Sequence, residues 1–87
     1  SEEFAAVANE ILSHHEQWNG KGYPQGLKEK EIPLLARIIS SVDAYDVMTN
    51  GTAYKDAISK EKAIKELKRN AGTQFDPDLV EKFIEII

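Results

Sequence analysis

Two adjacent histidines and two aspartates carry the chemistry that this sequence offers. His14 and His15 are the chain's only histidines, and Asp43 and Asp46 lie three residues apart in an apolar stretch. Neutral imidazole and carboxylate groups are common ligands of divalent metal ions. Neighbouring residues on a helix point about 100° apart, so the histidines suit a multi-metal cluster, or one ligand and a supporting partner, better than chelation of one ion.

A structural interpretation of these residues stays open beside the metal site. One imidazole can pack in the core while the other stabilises a helix C-terminus through the helix dipole. The aspartates favour a site, because an ionised carboxylate that faces an apolar core without a partner is costly. We therefore interpret Asp43 as a metal ligand and Asp46 as a structural or supporting residue.

Hydrophobic periodicity predicts a first helix that begins near Ser1 and leads to the histidines. Its apolar stripe consists of Phe4, Val7, Ala8, Ile11 and Leu12. The stripe places His14 and His15 on either side of the inward face, with Glu16 turned away.

A loop over residues 17–31 follows, marked by glycines and by Pro24. Trp18 and Tyr23 are interpreted as closing the top of the core, in preference to stacking of Trp18 on a purine. Gly22 belongs to the same loop and permits unusual backbone angles.

The second helix is predicted to begin with Pro33 and to run to about Met48. Its stripe consists of Ile32, Leu35, Ala36, Ile39 and Val42. This register turns Asp43 and Asp46 towards the core and Ser41 away from it.

Two further helices complete the prediction. The third begins after Ser59 as N-cap and ends at Gly72 as C-terminal cap. The fourth begins with Asp76 as N-cap and Pro77 at its first position. The fold class is therefore all-α: a small bundle of about four helices with a long Gly/Pro loop after helix 1.

Bulk properties exclude several classes of protein. The chain has 87 residues, no cysteine and a net charge of −4. It is expected to be one domain, residues 1–87, without a membrane span and without the positive surface of a DNA-binding protein. The absence of thiols is compatible with a cytoplasmic location. The uncapped apolar end at Ile87 predicts that the chain was cut from a longer protein.

The ordered motifs resemble the C-terminal half of an HD-GYP domain, a family of metal-dependent bacterial phosphodiesterases that act on the second messenger cyclic di-GMP. The matching residues are His14-His15-Glu16, Trp18, Gly20, Gly22-Tyr23-Pro24, Gly26-Leu27, Ile32-Pro33, Ala36-Arg37-Ile38, Val42-Asp43-Ala44-Tyr45-Asp46, Tyr54-Lys55 and Phe75-Asp76-Pro77. They cover essentially the whole chain.

The resemblance implies a role for each motif. His14, His15 and Asp43 would bind two or three iron or manganese ions, and Lys55 would contact the substrate phosphate. The Gly22-Tyr23-Pro24 loop would shape the site and contact a protein partner. The expected products are the linear dinucleotide and then GMP.

The chain also departs from the family pattern. Thr52-Ala53 replaces an Arg-Pro pair, Asn19 replaces Asp, and the upstream His-Asp doublet is missing. Because three ligands cannot complete a cluster of two or three ions, we expect the chain alone to be inactive and to bind metal weakly, if at all. The alternatives are a non-catalytic signalling adaptor that docks a partner through the loop, and a fragment that self-associates.

Overall fold

Helices make up most of the chain that the structure describes. The structure is a computed structural model, and it describes residues 2–5, 8 and 13–87. Three α-helices with defined bounds are α1 (Leu34–Asn50), α2 (Lys60–Arg69) and α3 (Pro77–Ile86). Residues 2–5 and 8 are also helical, and the described residues contain no β-strand. The predicted all-α class is confirmed.

The two histidines lie in a 3-10 turn, Ser13–His15, and not on the last turn of an α-helix. The predicted first helix agrees with the helical residues 2–5 and 8, but Phe4, which was predicted to lie in its inward apolar stripe, is 74% exposed. Ser1 and the stripe residues Val7, Ile11 and Leu12 lie outside the described residues. The loop over 17–31 is confirmed, with a second 3-10 turn at Glu29–Glu31.

The starts of α2 and α3 follow from their capping residues. The Ser59 hydroxyl accepts a hydrogen bond from the backbone N–H of Lys62 at 3.2 Å. The Asp76 carboxylate accepts one from Asp78 N–H at 3.0 Å, and Pro77 occupies the first turn of α3. Both predicted N-caps are confirmed, because each satisfies a backbone donor that the helix leaves without a partner.

The predicted C-terminal cap of α2 at Gly72 is wrong. Asn70 is the cap, because its backbone N–H donates to the Glu66 carbonyl at 3.1 Å and its side-chain amide donates to the same oxygen at 2.9 Å. Gly72, with φ of +90°, lies in the turn that follows and donates to the Phe75 carbonyl. The glycine therefore shapes the connection to α3 and does not end the helix.

The core lies where α1, α2 and α3 meet. Leu67, Phe75 and Val80 form its buried centre. Tyr45 and Phe83 pack edge to face beside them, with ring centroids 5.4 Å apart, a favourable aromatic geometry. Helices α1 and α3 are thereby held at a fixed distance beside the histidine turn.

The register predicted for α1 is wrong in an informative way. Ser41, predicted to face away, is buried, while Asp43, Asp46 and Val42 are exposed. The helix has apolar residues on two sides, so periodicity does not select one buried face. The side that carries Ser41 and Ala44 packs inward because small residues let helices approach closely. The helix begins at Leu34 and ends at Asn50, two residues beyond the predicted end.

No helix among the described ranges is both long enough and apolar enough to cross a membrane.

Candidate active site

One open cavity brings both histidines and Asp43 together. Its volume is about 390 Å³. Its walls come from the histidine turn and the adjoining loop, from α1, and from the segment before α3. The residues that line it are His14, His15, Glu16, Gln17, Tyr23, Ser40, Asp43, Ala44, Val47, Met48 and Gln74. The residues that the sequence selected for metal chemistry thus share one cavity, although about thirty positions separate them in the chain.

The aromatic rings form a stack at the mouth of this cavity. The rings of His14 and His15 have centroids 3.9 Å apart and are tilted by 38°. The His15 ring also lies against Tyr23, with centroids 4.8 Å apart and an angle of 17° between the planes. Stacking of this kind restricts how the His15 imidazole can turn.

The described residues do not form a metal site by themselves. Within residues 2–5, 8 and 13–87, no group of three or more His, Cys, Asp or Glu side chains is close enough to hold an ion. Asp43 contributes an exposed carboxylate on α1 at the edge of the cavity. The donor types suit a divalent ion, but their arrangement is incomplete, so the assignment of His14, His15 and Asp43 as ligands stays a prediction.

Asp46 has a partner on its own helix. Its carboxylate accepts a hydrogen bond from the side-chain amide of Asn50 at 2.7 Å. It lines a shallow groove with Ile38, Ile39, Val42 and Asp43, and it is not among the residues that line the histidine cavity. The structural or supporting role of Asp46 stays a prediction.

Lys55 lies in the turn that follows α1. It is exposed, and its backbone N–H donates to the Thr52 hydroxyl at 3.0 Å within a tight turn after α1. Lys55 does not line the histidine cavity. Its predicted contact with a substrate phosphate stays a prediction.

Trp18 and its neighbour attach the loop to the segment before α3. The backbone N–H of Trp18 donates to the Gln74 carbonyl at 3.1 Å, and the backbone N–H of Asn19 donates to the Thr73 carbonyl at 2.8 Å. The Trp18 side chain is half-buried and lines a small gap beside Phe75. This placement agrees with a tryptophan that closes the core.

Glu16 is a site residue that the sequence interpretation missed. Its side chain is only 3% exposed, although helical periodicity turned it away from the core. Its two carboxylate oxygens accept the backbone N–H groups of Gln25 at 2.8 Å and Leu27 at 2.9 Å. Backbone N–H groups in a loop lack the partners that a helix or strand supplies, and the need for another acceptor was the available signal for a buried carboxylate.

Gly22 is required by a close approach of two backbone segments. A Cβ atom at this position would lie 2.4 Å from both the His15 carbonyl oxygen and the Gln17 nitrogen. The Tyr23 N–H donates to the same His15 carbonyl at 3.3 Å. The loop therefore folds directly onto the histidine turn, which brings Tyr23 against His15.

An ion pair between Arg37 of α1 and the N-cap of α3 holds the cavity walls together. Arg37 Nη1 lies 2.7 Å from Asp76 Oδ2, and the two side chains are 14% and 4% exposed. Arg37 Nε also donates to the Ile32 carbonyl at 2.9 Å. Charge-assisted bonds of this kind fix the relative positions of the elements that they join.

Comparison with known proteins identifies the family. A family model described as "HD domain" matches residues 1–79, and the chain belongs to this HD domain family. Phosphohydrolases of this family are in general metal-dependent.

Individual relatives narrow the similarity to cyclic dinucleotide phosphodiesterases. The chain is 40% identical over 75 residues to a cyclic di-GMP phosphodiesterase of Thermotoga maritima, covering 86% of this chain and 20% of that protein. It is 42% identical over 84 residues to a cyclic di-GMP phosphodiesterase of Vibrio cholerae, covering 95% of this chain and 17% of that protein. These matches confirm the predicted HD-GYP resemblance.

A solved structure supports the same family. The crystal structure of a cyclic GMP-AMP-specific phosphodiesterase of Vibrio cholerae matches with a TM-score of 0.79 and 36% sequence identity, covering 93% of this chain and 18% of that chain. The present chain thus spans about a fifth of the length of the relatives that it matches.

Proposed function

We propose that this chain forms the His-His and GYP-loop portion of an HD-GYP domain that hydrolyses cyclic di-GMP to the linear dinucleotide and GMP. One observation carries the proposal: His14, His15 and Asp43 line a single open cavity together with Tyr23. Relatives named cyclic di-GMP phosphodiesterases match over most of the chain, which supports this choice of substrate.

The proposed metal site needs residues beyond this chain. His14, His15 and Asp43 would provide part of the ligand set for iron or manganese ions, which accept imidazole and carboxylate donors. The remaining ligands would come from the rest of the domain. Support comes from the outward side of α1, where Leu35, Ile38 and Val42 are exposed beside Asp43 as a second, unpacked apolar face.

Polar side chains in the cavity would orient the substrate. Ser40 and Gln74 also line the cavity and carry hydrogen-bond donors suited to phosphate oxygens. Lys55 would add a positive charge once the substrate extends past the cavity. Relatives are named for cyclic di-GMP or for 3'3'-cGAMP, so the substrate class is a cyclic dinucleotide.

A chimeric enzyme tests this proposal. We would replace the matching segment of the Thermotoga maritima phosphodiesterase with this chain and measure hydrolysis of cyclic di-GMP and 3'3'-cGAMP. The chimera should release linear dinucleotide, and His14→Ala should lower the rate more than about 100-fold, as expected for loss of a metal ligand. Glu61→Gln, an exposed carboxylate change in the first turn of α2, is the control. A folded chimera that is inactive, or equally active with His14→Ala, would refute the proposal.

The isolated chain should not hydrolyse cyclic di-GMP. Incubation of the 87 residues with Mn²⁺ or Fe²⁺ should give no linear product above the blank that contains metal alone, because the ligand set is incomplete. Product formation by the chain alone would show that its own residues suffice.

The adaptor function is the second candidate, and one observation favours it. Tyr23 is 61% exposed and Pro24 is exposed beside it, so the loop tip is accessible to a protein partner. A folded but inactive chimera, together with capture of a defined signalling partner that Tyr23→Ala abolishes, would favour the adaptor over the enzyme. Sedimentation of the chain at several concentrations would separate both from self-association through α1.

A further inference from the structure

We propose that Glu16 is a positioning residue that orients the His15 imidazole through the loop and Tyr23. The inference rests on the proposed function in one respect only, namely that His15 belongs to the site. Glu16 directly follows His15 in the chain, and its carboxylate contacts the loop that carries Tyr23.

The first step is the anchor between Glu16 and the loop. The carboxylate is 3% exposed, and burial of such a charge is tolerated only where hydrogen bonds compensate for lost water. Both oxygens have a backbone partner, Gln25 N–H at 2.8 Å and Leu27 N–H at 2.9 Å. Bonds to an ionised acceptor are stronger than neutral ones, so this carboxylate fixes residues 25–27.

The second step is the return of the loop to the histidine turn. In the chain, Gly22 and Tyr23 lie between the histidine turn and residues 25 and 27, whose N–H groups the Glu16 carboxylate accepts. Gly22 approaches so closely that a Cβ would meet the His15 carbonyl oxygen at 2.4 Å. The Tyr23 N–H then donates to that carbonyl at 3.3 Å, the long end of the hydrogen-bond range. The backbone contact at Tyr23 is therefore weak by itself, and the Glu16 anchor provides the stronger constraint.

The third step is the contact between rings. The Tyr23 ring is nearly parallel to that of His15, at 17° and 4.8 Å between centroids. Tyr23 is 61% exposed, so the described residues give its ring little packing beyond its contact with His15. If the loop were released at residues 25 and 27, the Tyr23 ring would leave His15, and the imidazole would lose one of its two ring neighbours, the one that lies nearly parallel to it. Accurate orientation of a site residue matters because small misplacements reduce catalysis strongly.

Nuclear magnetic resonance of the 87-residue chain in metal-free buffer tests the inference. Glu16→Gln keeps the size of the side chain but replaces one acceptor oxygen with an NH₂ group that cannot accept. We expect amide exchange at Gln25 or Leu27 to rise by roughly tenfold or more. The ring-proton signals of His15 should lose the ring-current shift that Tyr23 causes, as they do in Tyr23→Ala. Tyr23→Phe retains the ring and should retain the shift.

The matched control is Glu31→Gln. Glu31 is also a loop carboxylate that accepts a backbone N–H, from Lys28 at 3.0 Å, but it is exposed and its bond closes a local turn that does not include Tyr23. It should leave the His15 signals unchanged. Signals from Leu67 and Val80 report whether the core is intact, so a general loss of structure is distinguished from a local release of the loop.

The inference is overturned if Glu16→Gln leaves His15 unchanged while Tyr23→Ala moves it, or if Glu31→Gln has the same effect as Glu16→Gln. Should Glu16→Gln fail to fold, Gln25→Pro removes one donor and keeps the carboxylate. Movement of His15 in the direction of Tyr23→Ala then supports the inference, and no movement refutes it. The result is independent of hydrolysis by the chimera, so failure of the positioning role and failure of the proposed function remain distinguishable.

Discussion

Removal of the Asp76 carboxylate should destabilise the fold more than any exposed charge change. In Asp76→Ala, α3 loses its N-cap, which typically costs about 1 kcal/mol. Arg37, which is 14% exposed, also loses its partner, and an unpaired guanidinium at that depth costs roughly 2–3 kcal/mol after allowance for its exposure and for its retained bond to Ile32. The expected loss is therefore about 3–4 kcal/mol.

This loss is large for a chain of 87 residues. Typical stabilities of about 0.05–0.15 kcal/mol per residue give a total on the order of 4–13 kcal/mol. The melting temperature should fall by roughly 12–30 °C, at about 4–8 °C per kcal/mol for a domain of this size. Asp76→Asn should cost less, about 1–2 kcal/mol, because Asn is an equally good N-cap and only the charge is lost.

The assay is urea unfolding followed by circular dichroism at 222 nm and by Trp18 fluorescence. Arg37→Met with Asp76→Asn should cost less than the sum of the single changes, because neither partner is then left charged and alone. Glu66→Gln breaks the exposed pair between Glu66 and Arg69 and is the control, with no measurable change expected. A midpoint for Asp76→Ala equal to that of Glu66→Gln would refute the structural role of the buried pair.

Three further changes test separate features of the structure. Gly22→Ala should destabilise the chain by about 1–3 kcal/mol in thermal unfolding, because the new methyl would meet backbone 2.4 Å away; Lys21→Ala, at the exposed neighbouring position, is its control, and equal midpoints would contradict the close approach. Leu67→Ala should lower the free energy of unfolding in urea by about 2–5 kcal/mol, because Leu67 is fully buried. Leu34→Ala, at an exposed position, is its control, and equal losses in the two variants would contradict the placement of the core. The pKa of Glu66 is lowered from 4.5, first by its hydrogen bond from Arg69. The small stabilising contribution of this bond is therefore present above pH 4.5 and is lost as pH falls through the lowered pKa. In Arg69→Met, carbon-detected titration should show that the pKa of Glu66 rises, and no rise would contradict the bond.

Local signals predicted much of the fold correctly. The starts of α2 and α3 were predictable because Ser59 and Asp76 each have side-chain oxygens that accept backbone N–H groups one turn into the helix. The loop between Trp18 and Glu31 was predictable from its glycines and Pro24. These features depend on neighbours in the chain, so the sequence contains the information directly.

The face of α1 could not be predicted in the same way. Apolar residues occupy two sides of this helix, and the choice between them depends on where α2 and α3 pack. The buried Ser41 and the exposed Val42 are the outcome of that tertiary choice. The same limitation explains why Asp43 and Asp46 were expected to face the core and are instead exposed.

The candidate site was predictable in its residue types and not in its geometry. The sequence selected His14, His15 and Asp43, and the structure places all three around one cavity. The role of Glu16 was missed because the 3-10 turn redirects its side chain from the helical direction into the loop. Residues whose partners are backbone donors far along the chain are difficult to identify from pattern alone.

Metal content of the chimeric phosphodiesterase tests the central claim most directly. Asp43→Asn removes one negative oxygen donor from α1, whereas Asp78→Asn changes an exposed aspartate in the first turn of α3. We predict that purified Asp43→Asn chimera retains substantially less iron or manganese per chain than the parent chimera, and that Asp78→Asn retains as much as the parent. Equal metal content in a folded Asp43→Asn chimera would contradict the claim that His14, His15 and Asp43 form one wall of a metal site.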